Sequence, residues 1–289
     1  MSVTSSYWLD GFSRVWREED AADEDAAVRS WYCDLLSPYL PVTVRQTLDV
    51  GCGSGRMTSV LAELSPAATH VAIDGSAEAV RRTARRIEDD GIAGVARCVD
   101  LTVPGFSVRL LAEHGRFDVI TCFFVIHHYP IETIARILAE YRELCARDGV
   151  IVLAECHDPA DARAQATEQT CAELARMAGQ PPDLLLTPDA LERACAAAGF
   201  SREEMQFEIH RGQPFTERER DRHTAELARL QARVSAVREY AGPSPSPELL
   251  QLDSLVETMS AQNICGPIRH PPALAVLRPA DRSSVRRLS

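Results

Sequence analysis

Apolar residues along this chain of 289 fall into two alternating periods. Short apolar runs of strand length occur at Arg45–Gly51, His70–Asp74, Gly94–Asp100, Phe117–Phe124 and Gly149–Ala154. The last two are apolar almost throughout, as expected of strands buried on both faces. Between them the period changes to that of a helix. Met57–Leu64 follows the first run, and Ala77, Val80, Ala84 and Ile87 mark an inward face after the second, with arginines outward. Ser76 stands where that helix needs an N-cap, with Glu78 in its first turn. Ile131, Ile134, Leu138, Tyr141 and Leu144 mark a longer helix before the fifth run. Strands alternating with helices at this spacing predict an α/β fold, a mostly parallel sheet with right-handed crossovers and helices on both faces.

The ends of the chain depart from that rhythm. Trp8, Phe12 and Trp16 recur every four residues, as on one helix face, ahead of a second helix over Asp25–Tyr39 that Pro38 and Pro41 stop. Residues 1–44 are therefore expected to form an N-terminal helical cap or lid. Pro159–Gly179 and Pro188–Ala198 predict further helices, the latter ended by Gly199. Met205, Phe207 and Ile209 alternate with polar residues as on an edge strand, and Ala273–Leu277 is a last apolar strand. Between these two strands, residues 216–265 carry two helical patterns around a proline-rich turn, which predicts a helical insertion.

The junction of the first strand with the first helix carries the most informative motif. Asp49 precedes Gly51, Gly53 and Gly55, a G-x-G-x-G spacing rather than the G-x-G-x-x-G of dinucleotide binders. Acids also stand at the ends of the second and third runs, Asp74 and Asp100, and a Phe-Asp-Val-Ile strand follows from Phe117. Together these residues resemble the class I S-adenosylmethionine-dependent methyltransferases. The resemblance covers residues 45–155 closely and the rest by layout alone. It implies a Rossmann-like seven-stranded sheet over residues 45–289, closed by a terminal β-hairpin that the insertion at 216–265 splits. It also implies S-adenosylmethionine as cofactor and S-adenosylhomocysteine as product.

The same resemblance distributes roles. Glycines 51, 53 and 55 allow the backbone to approach the cofactor, since a Cβ there would collide. Asp49 fixes the loop or reaches the methionine ammonium. Asp74 accepts from the ribose hydroxyls, Ser76 flanks the adenosine, and Asp100 with the Leu101 N–H contacts the adenine. Phe123 lines the methyl site, and Tyr7 is placed to close on the methionine carboxylate. His127 and His128 are the acid–base candidates: either removes a proton from the acceptor, His128 being favoured, or the pair orients the loop. Tyr129, Glu155 and His157 are expected to wall the substrate site. The alternative of a metal site formed by His157 and Asp158 with His127 or His128 is set aside, and no metal is expected.

Composition narrows the substrate. The net charge of −11 and pI near 5.3 disfavour a nucleic-acid partner. The end of the fourth strand lacks the Asn/Asp-Pro-Pro-aromatic motif of DNA amino-methyltransferases and the strand-end acids of metal-dependent catechol enzymes. All 31 basic residues are arginine, so no Schiff-base lysine is available. The nine cysteines show no C-x-x-C pair, and Cys98 and Cys122 fall in strand patterns, as reduced core residues would. With no signal-peptide pattern and no membrane-length apolar run, a cytoplasmic location without membrane contact is expected. The expected function is methyl transfer to an O, N or C nucleophile of a small, natural-product-type acceptor by a monomer or homodimer. The competing expectations are non-methylating chemistry on the same fold, such as cyclisation or rearrangement, and a non-catalytic partner protein.

Overall fold

A computed structural model describes residues 26–155, 186–209 and 273–279, all within one compact unit of the chain. The expected lid residues before Ala26, the helix at 159–179 and the insertion at 216–265 lie outside the described residues.

Seven strands form one sheet in the order β3-β2-β1-β4-β5-β7-β6. They are β1 (Gln46–Val50), β2 (Thr69–Asp74), β3 (Gly94–Cys98), β4 (Phe117–Phe123), β5 (Cys145–Glu155), β6 (Met205–Ile209) and β7 (Ala273–Leu277). The first five pair in parallel. β7 runs antiparallel to both β5 and β6, so the expected terminal hairpin closes the sheet. The order reverses between β1 and β4, which sets a topological switch point at their carboxyl ends.

Helices cover both faces. On one side α1 (Ala26–Leu36) and α2 (Arg56–Leu64) bury Trp31, Tyr32, Leu35, Leu36, Val60 and Leu61 against Val119, Val152 and Val276. α3 (Ala77–Asp89) packs beside α2 and over β2 and β3. On the other side α4 (Phe106–His114), α5 (Ile131–Leu144) and α6 (Pro188–Ala197) bury Phe106, Leu110, Ile134, Leu138 and Leu191 against Leu48, Ile73, Ile120 and Leu153.

Four sequence expectations need correction. The buried face of α3 is Ala79, Thr83 and Ile87, whereas Ala84 is exposed. The helix turns its small and hydroxyl residues inward because it must sit close to the glycine turn. α5 buries Ile137 and leaves Ile131, its first residue, exposed. β5 begins at Cys145, earlier than its apolar run, because a register shift against β4 absorbs residues 146–149, which include the polar Arg147 and Asp148. Gly149 permits this: a Cβ there would lie 2.9 Å from the Phe117 carbonyl oxygen. Cys98 is exposed at the end of β3, unlike the buried Cys122. The helix α4 falls in a stretch where no element was expected.

One buried ion pair ties α5 to the approach to β6. Arg142 Nη2 donates to Glu204 Oε1 at 2.8 Å, and Glu204 Oε2 accepts from the Ser201 N–H at 2.6 Å. The Arg142 Nε is already buried without a partner. Glu204→Ala therefore strands a buried guanidinium and should cost about 3 kcal/mol in urea unfolding. A loss below about 1 kcal/mol, as at exposed pairs, would contradict the reading of this pair.

Candidate active site at the carboxyl edge of the sheet

The strand register brings the sequence-predicted residues to one edge. Val50 pairs with Ile73 and with Cys122, so the next residues, Gly51, Asp74 and Phe123, leave the sheet side by side. Asp74 also pairs with Cys98, which places the exposed thiol on the same rim.

The glycine turn is held from the β2 side. The Ile73 carbonyl accepts from both the Gly51 and Cys52 N–H groups, at 2.8 and 3.0 Å. Asp74 Oδ2 accepts from the Gly53 N–H at 3.0 Å and its Oδ1 from the Ser76 N–H at 2.8 Å. Thr83 Oγ1 on α3 donates to the Gly53 carbonyl at 3.0 Å. Gly51, Gly53 and Gly55 all have positive φ, at 68°, 54° and 87°, which L side chains adopt only at a cost. A Cβ on Gly51 would lie 2.2 Å from Val125 Cγ2. The collision at Gly51 is thus with the chain's own β4 exit, across the switch point, rather than with a ligand.

Asp49 faces α2 from the middle of the sheet and is almost fully buried. Thr58 Oγ1 donates to its Oδ2 at 2.6 Å and Thr121 Oγ1 to its Oδ1 at 3.3 Å. Burial, which outweighs these bonds, pushes its carboxyl up to about 6, with Asp74 adding a repulsive contribution. Burial also raises Asp74, against the lowering effect of the Ser76 and Gly53 N–H groups. Among the described residues neither acid has an ion-pair partner. Asp100 lies two residues past the end of β3; its Oδ1 accepts from the N–H and hydroxyl of Thr102 at 2.8 and 2.7 Å. Leu101 is buried.

The β4 exit is the second half of the site. Phe124 has φ 58°, the one positive φ among described non-glycine residues, a conformation that costs about 1–2 kcal/mol. Its N–H donates to the Ala154 carbonyl at 2.7 Å. Glu155, at the end of β5, then takes the next two amides: its Oε1 accepts from Val125 and Ile126 at 3.0 and 2.9 Å. Its Oε2 lies 2.7 Å from His127 Nδ1. Glu155 is wholly buried and His127 nearly so. Glu155 is therefore not a substrate wall, as expected from its strand-end position, but the internal anchor of the loop. His128 is half-buried, with its ring centroid 3.9 Å from that of His127 in an edge-on arrangement. Phe123 lies half-buried with its ring 6.1 Å from that of Tyr32 on α1. Tyr129 is half-buried, and burial first, then Asp74 and Asp100, raise its phenol well above the usual range. Tyr7 and His157 lie outside the described residues.

Strand order, glycine turn and edge acids together define the class I methyltransferase fold. Residues 48–151 match the model of a methyltransferase domain family. Ribosomal RNA small subunit methyltransferase C of Enterobacter sp. strain 638 is 36% identical over 87 residues, which make up 30% of this chain and 23% of that protein. Ubiquinone biosynthesis O-methyltransferase of Actinobacillus pleuropneumoniae is 31% identical over 108 residues, 37% of this chain and 44% of that one. The chain thus spans under half the length of these curated relatives. The plantazolicin methyltransferase BpumL, solved with a pentazolic desmethylPZN analog and S-adenosylhomocysteine, shares the fold with a TM-score of 0.52 at 19% identity, over 96% of this chain and 95% of that one. Among the described residues no helix is long and apolar enough to cross a membrane.

S-adenosylmethionine, with its ammonium and sulfonium, would suit this edge by charge, since buried Asp49 and half-buried Asp74 have no cation beside them among the described residues. Holding Asp49 ionised in the free protein costs about 3 kcal/mol. Because its folded value lies above the unfolded 3.8, this group favours folding at low pH, and that contribution is lost as pH rises through about 6. Asp49→Asn should therefore be more stable than wild type to urea, by about 1 kcal/mol at pH 4.5 and about 3 at pH 7.5. A difference that stays constant across that range would contradict the buried, uncompensated carboxylate.

Proposed function

We propose that this protein is an S-adenosylmethionine-dependent methyltransferase acting on a small organic acceptor, with an oxygen nucleophile the first expectation and nitrogen or carbon next. The observation that carries the reading is the adjacent pair of acids, buried Asp49 and half-buried Asp74, without a cation among the described residues, at the switch point of this fold. The acidic net charge of −11 supports a small acceptor over a nucleic acid. The fold likeness to a methyltransferase of plantazolicin along nearly the whole chain supports an acceptor of natural-product type.

S-adenosylmethionine supplies a methyl group on a sulfonium with a neutral leaving group, so the protein's main task is to hold the acceptor in line. In this reading Asp74 accepts from the ribose hydroxyls while keeping its bonds to Gly53 and Ser76. Asp49 balances the ammonium, Ser76 flanks the adenosine, and Asp100 with the Leu101 N–H addresses the adenine. Phe123 and the Phe124 turn present an apolar wall to the transferred group. His128 takes the acceptor's proton at a ring nitrogen, a contribution of about 10²–10⁴-fold. His127, held through Nδ1 by Glu155, is a positioning residue that fixes the ring of its neighbour.

Release of S-adenosylhomocysteine in the presence of small phenols, carboxylates and amines tests the assignment. Wild type should form it stoichiometrically with a methylated product. His128→Gln should lower kcat about 100-fold, leave the affinity for S-adenosylmethionine unchanged, and flatten the acid limb of the pH profile. S-adenosylmethionine that binds but yields a rearranged acceptor and no S-adenosylhomocysteine would replace methyl transfer by non-methylating chemistry.

A further inference from the structure

The loop that follows β3 carries Asp100 and Leu101; the Val99 N–H donates to the Asp74 carbonyl at 2.9 Å and the Val103 N–H to the Asp100 carbonyl at 3.2 Å, but the Leu101 carbonyl takes its partner from outside the loop. Thr102 folds back on Asp100, and Gly105, with φ 82°, starts α4 without a side-chain cap of its own. The missing contacts come from α5. Arg136 Nη2 donates to the Leu101 carbonyl at 2.6 Å, and its Nη1 donates to Glu140 Oε1 at 2.8 Å. Glu140 in turn accepts from the first amides of α4: Gly105 N–H to Oε1 and Ser107 N–H to Oε2, both at 3.0 Å. Glu140 therefore caps α4 from 35 residues away, where a negative group also complements the helix dipole. The side chains of Arg136 and Glu140 are 28% and 12% exposed, so water screens the pair only in part. Arg136 also lowers the Tyr129 phenol, against burial, Asp74, Cys122 and Asp100, which raise it.

We infer that Arg136 and Glu140 are positioning residues for recognition of the purine: they fix the Leu101 backbone from behind, so that its N–H and the Asp100 carboxyl meet the base edge in one register. This inference rests on the cofactor reading above. Arg136 and Glu140 touch the loop rather than the ligand. Their effect should therefore appear in discrimination between bases, not as a uniform loss of binding. S-inosylhomocysteine is the discriminating probe. It replaces the 6-amino donor of S-adenosylhomocysteine by a carbonyl acceptor and reverses the ring nitrogen, leaving the ribose and amino acid parts unchanged.

Calorimetric titration of wild type, Asp74→Ala, Arg136→Met, Arg136→Lys and Glu140→Gln with both ligands tests the inference. Wild type should prefer S-adenosylhomocysteine by about 100-fold. Arg136→Met should bind it about tenfold more weakly and prefer it by less than about tenfold. Arg136→Lys, whose ammonium can still donate to the Leu101 carbonyl, should keep most of the preference. Glu140→Gln keeps the shape of the pair and decides the matter if Arg136→Met does not fold; its preference should fall as well. Asp74→Ala should weaken both ligands alike. Arg136→Met or Glu140→Gln with lowered thermal stability but the wild-type preference would overturn the inference and leave the cofactor site standing, the pair then being only a staple for α4. Wild type that binds neither ligand would overturn the cofactor reading and the inference with it.

Discussion

The candidate site depends on one buried carboxyl group. Glu155 stands at the end of β5 and holds Val125, Ile126 and His127 of the neighbouring strand's exit. Without it the chain leaving β4 would have two buried amides unsatisfied directly after a residue with left-handed backbone, each costing about 1–3 kcal/mol. With it, the strained turn at Phe124 is over-determined, and Val125 is pressed onto Gly51 across the switch point. The two halves of the site thereby share one boundary. Gly51 must be a glycine because Glu155 fixes what lies opposite it.

A second tension runs through β1. Its apolar residues, Leu48 and Val50, enter the core beneath α4 and α5, while Thr47 and Asp49 point to the α2 face. That face is buried too, so each polar group there needs a partner. Thr47 Oγ1 lies 2.9 Å from His70 Nδ1. Asp49 has two hydroxyl donors but no cation among the described residues. The hydrophobic clusters on both faces of the sheet offset this cost. An uncompensated buried acid at a switch point is a candidate site for a cationic ligand.

Much of this was legible in the residues. Apolar runs located the five parallel strands to within a few positions, most clearly β4 and the apolar part of β5, where a strand covered on both faces has no polar side to interrupt it. The G-x-G-x-G turn and the acid ending β2 marked the carboxyl edge at the switch point, because close approach and charge leave marks on residue type. What escaped was set by tertiary contact. α4 carries no capping residue of its own, since Glu140 supplies the cap from another helix. The inward face of α3 was misplaced because Thr83 is buried for its bond to Gly53 and not for its apolarity. Glu155 looked like a ligand-facing acid because its three partners lie 28–30 residues away. The strain at Phe124 has no signature in residue type at all, since phenylalanine is common in strands.

The claim that Glu155 preforms the acceptor side of the site is tested most directly by amide hydrogen exchange in the ligand-free protein. The amides of Val125 and Ile126 should exchange slowly in wild type. In Glu155→Leu, which removes the acceptor atoms and keeps the bulk, both should lose protection by about 100-fold, while Val50 and Cys122 in the β1–β4 ladder stay protected. Equal protection of Val125 and Ile126 in the two proteins would mean that the loop is held by other contacts, and the anchoring role of Glu155 would be contradicted.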